Sequence, residues 1–402
     1  MAPELSVLFV NYNTWAECAA AIRSLREHPP TRPDGTRMPY ECIVVDNASP
    51  QRPQQAIEAL EAELSAVRAE QQDELSGALH LHAENLGYSR GVNYCLDRSR
   101  GAYVLVSNPD LLYTPGLVDA LHRELLRNPK AGCTVPKGHW DPSFLGRLPP
   151  NTLPTLWDVA VCTLGEFFRP LAHWYARHLL KQWLRIWAAD APVVLPMMSG
   201  CLFMVERRYF ESIGRMDNRF PLYYEDSDLS VRIAKSGRGI VQVPDARLVH
   251  FVNRSGQTDF ETMMKRHGIS RRLYFEKWYG RAGLLVLDAC DWMMRTPLLR
   301  ALRGTPPGCA FTDLGESAQK PVIRLPRSCD RFLLLMGLDA RFYLSGALWG
   351  SGDTWTPSDE LFGNFAPTTY WYRAYDIGNG RLELLGTWQY RCRRGSAGAV
   401  GP

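Results

Sequence analysis

The 402-residue chain has no CxxC pair, no run of eighteen apolar residues, no internal repeat and almost no charge bias. Each absence excludes something. A bilayer needs ~20 consecutive apolar residues, so a spanning helix is not expected. Ten cysteines, at 18, 42, 95, 133, 162, 201, 290, 309, 329 and 392, carry no zinc or redox spacing. Most lie inside apolar segments such as Glu41-Cys42-Ile43-Val44, and they are read as reduced core residues of a cytoplasmic protein. The net charge of +4 is too mild to point to nucleic acid. Met1-Ala2-Pro3-Glu4 lacks the basic opening of a secretion signal. What remains, 46% hydrophobic and 22% charged, is a folded chain long enough for two domains.

The first 135 residues alternate two periodicities. Short apolar runs at Ser6–Val10, Cys42–Val45, Ala78–His82 and Ala102–Val106 predict strands. Between them Trp15–Glu27, Gln54–Gln72 and Leu86–Arg98 have helical spacing, and Pro115-Gly116 opens a further helix to about Arg127. Alternation of this kind predicts an α/β fold with a mostly parallel, doubly wound sheet, in which ligands bind beyond the C-terminal strand ends. Three strands end in polar residues: Asn11 and Asn13, Asp46 and Asn47, Asn108 and Asp110.

Residues 137–196 break this rhythm. After a proline-rich loop, a helical stretch from about Leu156 to Ala189, interrupted near Pro170, interleaves Arg169, Arg177, Lys181 and Arg185 with Trp174, Trp183 and Trp187. That pattern suits either a helix lying on an anionic membrane surface or a helix packed over a sheet with a solvated basic edge. The α/β pattern resumes at Met197, with strands at Cys201–Val205, Ile240–Val243 and Arg247–Phe251 and a helix after Asp228 closed by Gly237. Arg254 to Arg281 carries seven basic residues against three acids and is read as helical, facing a phosphate or water. Pro306-Pro307-Gly308 reads as a linker. Beyond it, short β segments and the turn Ile377-Gly378-Asn379-Gly380 predict a mainly antiparallel β domain. The expected division is 1–285, with an aromatic and basic insertion at about 140–195, and 305–402.

The densest chemistry is Tyr223-Tyr224-Glu225-Asp226-Ser227-Asp228. Capping a helix needs one carboxylate, whereas three in four positions repel one another. A carboxylate held among others beside aromatic rings has a raised pKa and suits a general base. Asp110, after a strand, and His250, ending one, are competent ligands for Mn²⁺ or Mg²⁺.

In this order along the chain, these segments resemble the inverting glycosyltransferases of family 2, and within them a bacterial rhamnosyltransferase-like branch. The resemblance is carried by Phe9-Val10-Asn11-Tyr12-Asn13, Val44-Val45-Asp46-Asn47-Ala48-Ser49, Asn85-Leu86-Gly87-Tyr88-Ser89-Arg90-Gly91-Val92-Asn93, Asn108-Pro109-Asp110, Ser199-Gly200-Cys201, Glu225-Asp226-Ser227-Asp228 and His250. It implies a GT-A fold and a nucleotide-diphospho-sugar donor. Asn11, Tyr12, Asn13 and Asp46 would hold its base and ribose. Asn85, Gly87, Arg90, Asn93, Asn108 and Asp110 would complete the donor site, with Asp110 and His250 on the metal. Asp226 would be the base, with Glu225 beside it, and Asp228 and Trp183 would meet the acceptor. Asn108 stands where many relatives have a first aspartate, which lowers the expected metal affinity. A deoxyhexose donor such as dTDP-rhamnose and a glycan or lipid-linked acceptor follow from the branch. The implied location is the cytoplasm, peripheral on the inner face of the membrane, and residues 304–402 would serve dimerisation or acceptor binding. The competing reading is a glycan-binding scaffold with an inactive transferase half, in which Trp349, Trp355, Trp371, Tyr372 and Trp388 stack on sugars.

Overall fold

A computed structural model describes residues 2–250, 260–302, 311–378 and 380–393. The expected linker at Pro306-Pro307-Gly308, Arg254 of the basic segment and Asn379 of the turn lie outside the described residues.

In chain order the first elements are β1 (Leu5–Asn11), α1 (Trp15–Glu27), β2 (Tyr40–Asp46), α2 (Gln54–Gln71), β3 (Gly77–Leu81), α3 (Tyr88–Asp97), β4 (Tyr103–Ser107), β5 (Leu111–Tyr113), α4 (Leu117–Arg127) and β6 (Ala131–His139). There follow β7 (Gly146–Arg147), α5 (Leu156–Gly165), α6 (Arg169–Ala188), β8 (Val193–Leu195), β9 (Leu202–Glu206), α7 (Arg207–Ser212), α8 (Glu225–Lys235), β10 (Gly239–His250) and α9 (Phe260–Arg295). The chain continues through α10 (Pro297–Ala301), β11 (Thr312–Ser317), β12 (Ile323–Gly337), β13 (Ser345–Trp355), α11 (Asp359–Gly363), β14 (Thr369–Asp376) and β15 (Glu383–Cys392).

Two compact units result. The first comprises 1–138, 151–154 and 189–285, and the second 139–150, 155–188 and 286–402. The first unit ends at 285, and residues 139–150 and 155–188, from the aromatic and basic stretch, group with the second unit. The physical reason is where its apolar face goes. Leu179, Leu180 and Trp183 of α6 share a buried cluster with Leu333 and Leu335 of β12.

In the first unit β3, β2, β1 and β4 pair in parallel. Strand β9 joins β4 antiparallel, and β6 pairs with β9. The sheet is therefore mixed beyond β4. Alternate residues of β1 feed opposite faces: Leu5, Val7 and Phe9 pack with α1, α2 and α4, and Leu8 and Val10 pack with α3 and α8. This two-sided burial is the doubly wound arrangement that the alternating pattern predicts. The two strands expected at 240–243 and 247–251 are one, β10, which pairs with both β5 and β8. Helix α9 breaks at Gly280, the one residue inside it with non-helical backbone angles (φ 62°).

The second unit is an antiparallel arrangement of β15, β14, β12, β13 and β7, with β11 parallel on the β15 edge. Tyr372 and Trp388 are buried in its core, and Trp349, Trp355 and Trp371 pack against that core. Tyr372 and Trp388, two of the five rings on which the scaffold reading relied, are thus spent on folding, while the other three are partly buried. Trp183, expected at an acceptor, is likewise 1% exposed and packs beside Trp187 at 5.8 Å. Its ring faces core. Among the described residues no helix is long and apolar enough to cross a membrane.

Candidate active site

The site lies in the first unit, at the C-terminal strand ends. Parallel register sets its first pair. Because β1 and β2 run side by side with Asn11 opposite Asp46, their last residues meet. Asn11 Nδ2 donates to Asp46 Oδ1 at 3.0 Å, and Asn11 Oδ1 accepts from Thr14. Asp46 is fully buried, and it also accepts from Ser49 and from Arg52 Nη2 at 2.9 Å. Asn13 takes a left-handed conformation (φ 57°) and donates its amide to Ser49 Oγ at 2.8 Å. Tyr12 is half-buried in the same loop. Ser49 and Arg52 were not singled out from sequence. Their part becomes visible only when Asp46 is seen to be a buried charge that must be paired.

Antiparallel register sets the second pair. Strand β5, too short to stand out in the sequence, aligns Leu111 with His250 on β10. This brings His250 Nε2 within 3.3 Å of Asp110 Oδ1. Asp110 is 4% exposed. Burial works against a charged imidazole, but Asp110 and Cys201 outweigh it and lift His250 to about 10.

The β4–β9 register sets the third. Ser107 opposes Leu202, so the Asn108 amide donates to the Cys201 carbonyl at 2.7 Å. The segment Ser199-Gly200-Cys201 therefore lies against Asn108-Pro109-Asp110. Gly200 N then donates to Asp226 Oδ2 at 3.2 Å, and Ser227 N to Asp226 Oδ1 at 2.7 Å. Asp226 is partly buried at the first turn of α8. Burial raises its carboxyl above the ordinary aspartate range, and the Ser227 and Gly200 amides pull it part of the way back. Glu225 is 6% exposed, and burial with the Asp226 charge pushes it well above the ordinary glutamate range. The turn into α8 is strained: Tyr223 and Tyr224 both have φ near +64°, at 64° and 63°. Consecutive non-glycine residues in this region each cost ~1–3 kcal/mol and cluster at working sites.

The third carboxylate does something else. Asp228 is fully buried and held by Arg232 (2.9 Å), Lys277 (2.6 Å) and Trp278 Nε1 (3.0 Å). It anchors α9 to α8 and has no surface for an acceptor, which corrects the sequence expectation. Lys277, from the basic segment, thus faces carboxylates rather than phosphate, bonding Asp217 as well at 2.8 Å.

Tyr88 joins the parts. Its hydroxyl lies 2.9 Å from the Gly200 carbonyl and 3.2 Å from Asn108 Oδ1, so one side chain touches both the segment before the metal candidate and the one that binds Asp226. Burial and then the Glu225, Cys201, Asp226 and Asp110 charges hold its phenol far above the ordinary range, so it remains a donor. Tyr88 lay inside a quoted motif without a role, because nothing local in the sequence shows that α3 carries it to β9. Its neighbours behave differently. Asn93 spends its amide on Met216 and Asn218, and Arg90 reaches the Asn218 carbonyl at 3.3 Å. Both brace the 216–218 segment. Asn85 Oδ1 accepts from Gly87 N and from Arg266 Nη1, both at 3.0 Å.

Two expected outcomes arise from this geometry. Gly87 has φ 81°, and a Cβ there would sit 2.6 Å from the Pro221 carbonyl oxygen. Gly87→Ala should cost about 2 kcal/mol or more, by strain and by parting α3 from the 221–225 turn. A thermal melt should drop by at least ~4 °C. Tyr88→Phe should fold normally and lower kcat about tenfold, the size of one hydrogen bond to a critical segment, with KM for the donor changed less. Steady-state kinetics would show the split.

The first unit has a fold of the GT-A type, a mixed α/β sheet. The chain belongs to glycosyltransferase family 2: the model of "Glycosyl transferase family 2" matches residues 6–214. It is a glycosyltransferase. It is 29% identical over 235 residues to the N-acetylglucosaminyl-diphospho-decaprenol L-rhamnosyltransferase of Mycobacterium tuberculosis, across 55% of this chain and 70% of that one. It is 27% identical over 139 residues to polypeptide N-acetylgalactosaminyltransferase 9 of Macaca fascicularis, across 34% and 21%. Among solved structures it is similar to a mannosyltransferase of Pyrobaculum calidifontis in complex with GDP-Man and Mn²⁺. That match has a TM-score of 0.41 and 17% identity and covers 75% of this chain and 79% of the other.

Proposed function

We propose that the enzyme moves a sugar, a deoxyhexose such as rhamnose being the favoured class, from a nucleoside diphosphate to a hydroxyl of a glycan or lipid-linked saccharide, with inversion. The observation that carries this reading is the convergence of Asp226, Asp110 and His250 on one network through Gly200, Asn108 and Tyr88. The rhamnosyl and lipid-linked parts rest on the mycobacterial relative, whose name states both.

The residues fit a divalent cation shared with a substrate. Among the described residues no group of three His, Cys, Asp or Glu side chains is placed to hold a metal. Asp110 and His250 supply two donors, an oxygen and a nitrogen suited to Mn²⁺ or Mg²⁺, and leave the other positions to diphosphate oxygens and water. A bound cation would neutralise charge building on the departing diphosphate. Asp226, held by two amides with its basicity raised, takes the proton of the acceptor hydroxyl as that oxygen attacks the anomeric carbon. Attack comes from the face opposite the diphosphate, so one displacement inverts configuration. Burial and the Asp226 charge raise the Glu225 carboxyl, which disfavours a second negative charge beside the base. Asn11 and Asp46, both fully buried and paired with Thr14, Ser49 and Arg52, fix the strand-end loops that would flank the nucleoside.

The test is transfer from a panel of nucleotide sugars to a diphosphate-linked N-acetylglucosamine acceptor, with the product anomer read by NMR. An anomer opposite to the donor's supports the reading, and a retained one overturns inversion. We further infer that the enzyme works peripherally at a membrane surface.

A further inference from the structure

Helix α6, in the second unit, buries one face and exposes the other. Trp174, Arg177, His178, Lys181 and Arg185 fall on the exposed face, and no acidic residue occurs between Arg169 and Ala189. Trp174 is 50% exposed and stacks on His178 with ring centroids 5.7 Å apart. Phe168, just before the helix, is 60% exposed. A merely solvated basic edge has no use for exposed aromatic rings among its cations, whereas a bilayer interface does.

A second observation lies nearby. Arg373 on β14 is 4% exposed, with its guanidinium 4.2 Å over the Phe342 ring. Among the described residues no carboxylate pairs with it. Phe342 shares a buried cluster with Tyr175 and Leu179 of α6, which sets Arg373 beside this helix. A buried cation without a counter-charge is costly, and an anion reaching this face would offset it.

We propose that the exposed face of α6, with Arg373 near it, docks on a bilayer surface rich in acidic phospholipid. The phosphate groups meet the cations, and Trp174 and Phe168 enter the headgroup boundary. This rests on the reading that the acceptor is lipid-linked, yet its test needs no transfer. The full chain is floated with vesicles of phosphatidylcholine alone or mixed with phosphatidylglycerol. It should bind the mixed vesicles only and be released by high salt. Arg177→Glu combined with Lys181→Glu should weaken binding at least ~30-fold, about tenfold or less for each lost charge before repulsion is counted. Trp174→Ala should weaken binding while leaving its salt dependence. All three positions are exposed, and unchanged nucleotide-sugar turnover without vesicles would show that both fold and site are intact. Equal binding to both vesicle types, no binding, or indifference to the double charge reversal would overturn the proposal. So would calorimetric binding of inorganic pyrophosphate by a chain that ignores vesicles, which would assign the face to a soluble phosphate.

Discussion

Replacing Asp226 with asparagine is expected to lower sugar transfer by about 10²–10⁴-fold, the usual worth of general base catalysis, while leaving donor affinity nearly unchanged. Asparagine has almost the same shape but cannot take the acceptor proton. Its amide oxygen can still accept one of the two backbone bonds now given by Gly200 and Ser227. The stability consequence separates catalysis from folding. Burial raises the Asp226 and Glu225 carboxyls, so the folded chain holds their protons more tightly than the unfolded one does. Their contribution to stability is therefore full below the ordinary carboxylate range and lost as pH rises from there through their raised values, and removing one charge relieves it. Asp226→Asn should melt within a few degrees of the parent at neutral pH, about the effect of one hydrogen bond. A variant that is both unfolded and inactive would say nothing for the base, whereas a folded, donor-binding, inactive one isolates it. Glu225→Gln is the control and should cost much less activity.

The second large effect is expected at Asp110. Asp110→Ala should reduce Mn²⁺-supported donor binding by more than the ~10–100-fold that loss of an outer-shell partner costs, since it removes a direct ligand. His250→Gln should act in the same direction. Titrating Mn²⁺ against a fixed donor in a calorimeter separates this loss from a loss of nucleoside contacts. In chelator the pair has its own pH signature. His250 is lifted from 6.5 to about 10, so its tie to Asp110 stabilises the metal-free fold fully below the ordinary histidine pKa. That contribution fades as pH climbs through about 10. The melting difference between the parent and Asp110→Asn should therefore be widest in mild acid and narrow towards alkaline pH.

The parallel half of the sheet was legible because its strands are buried on both faces and its helices have clear periodicity. The bounds expected for α1, Trp15–Glu27, are those observed. What escaped was set by register. Strand β5 is three residues long, yet it alone aligns His250 beside Asp110. Tyr88 owes its role to a hydrogen bond across 112 positions of sequence. No local pattern could assign Asp228 to structure, because its partners Lys277 and Trp278 arrive from a helix about fifty residues later. The grouping of α6 with the C-terminal strands was hidden for the same reason: amphipathicity shows that a helix buries a face, not against what. Exposure misled in the other direction at Trp183, whose basic neighbours suggested a surface while its own face of the helix points to core.

The central claim is that Asp110 and His250 hold a cation that grips a nucleotide sugar beside Asp226. The most direct measurement is the thermal shift of the full chain with a panel of nucleotide sugars, with and without Mn²⁺, since a ligand bound only by the folded state raises its melting temperature by mass action. The account predicts one selective donor, whose shift is abolished by chelator and by Asp110→Ala and kept by Asp226→Asn. A shift that survives both chelator and Asp110→Ala, or none with any donor, would contradict it.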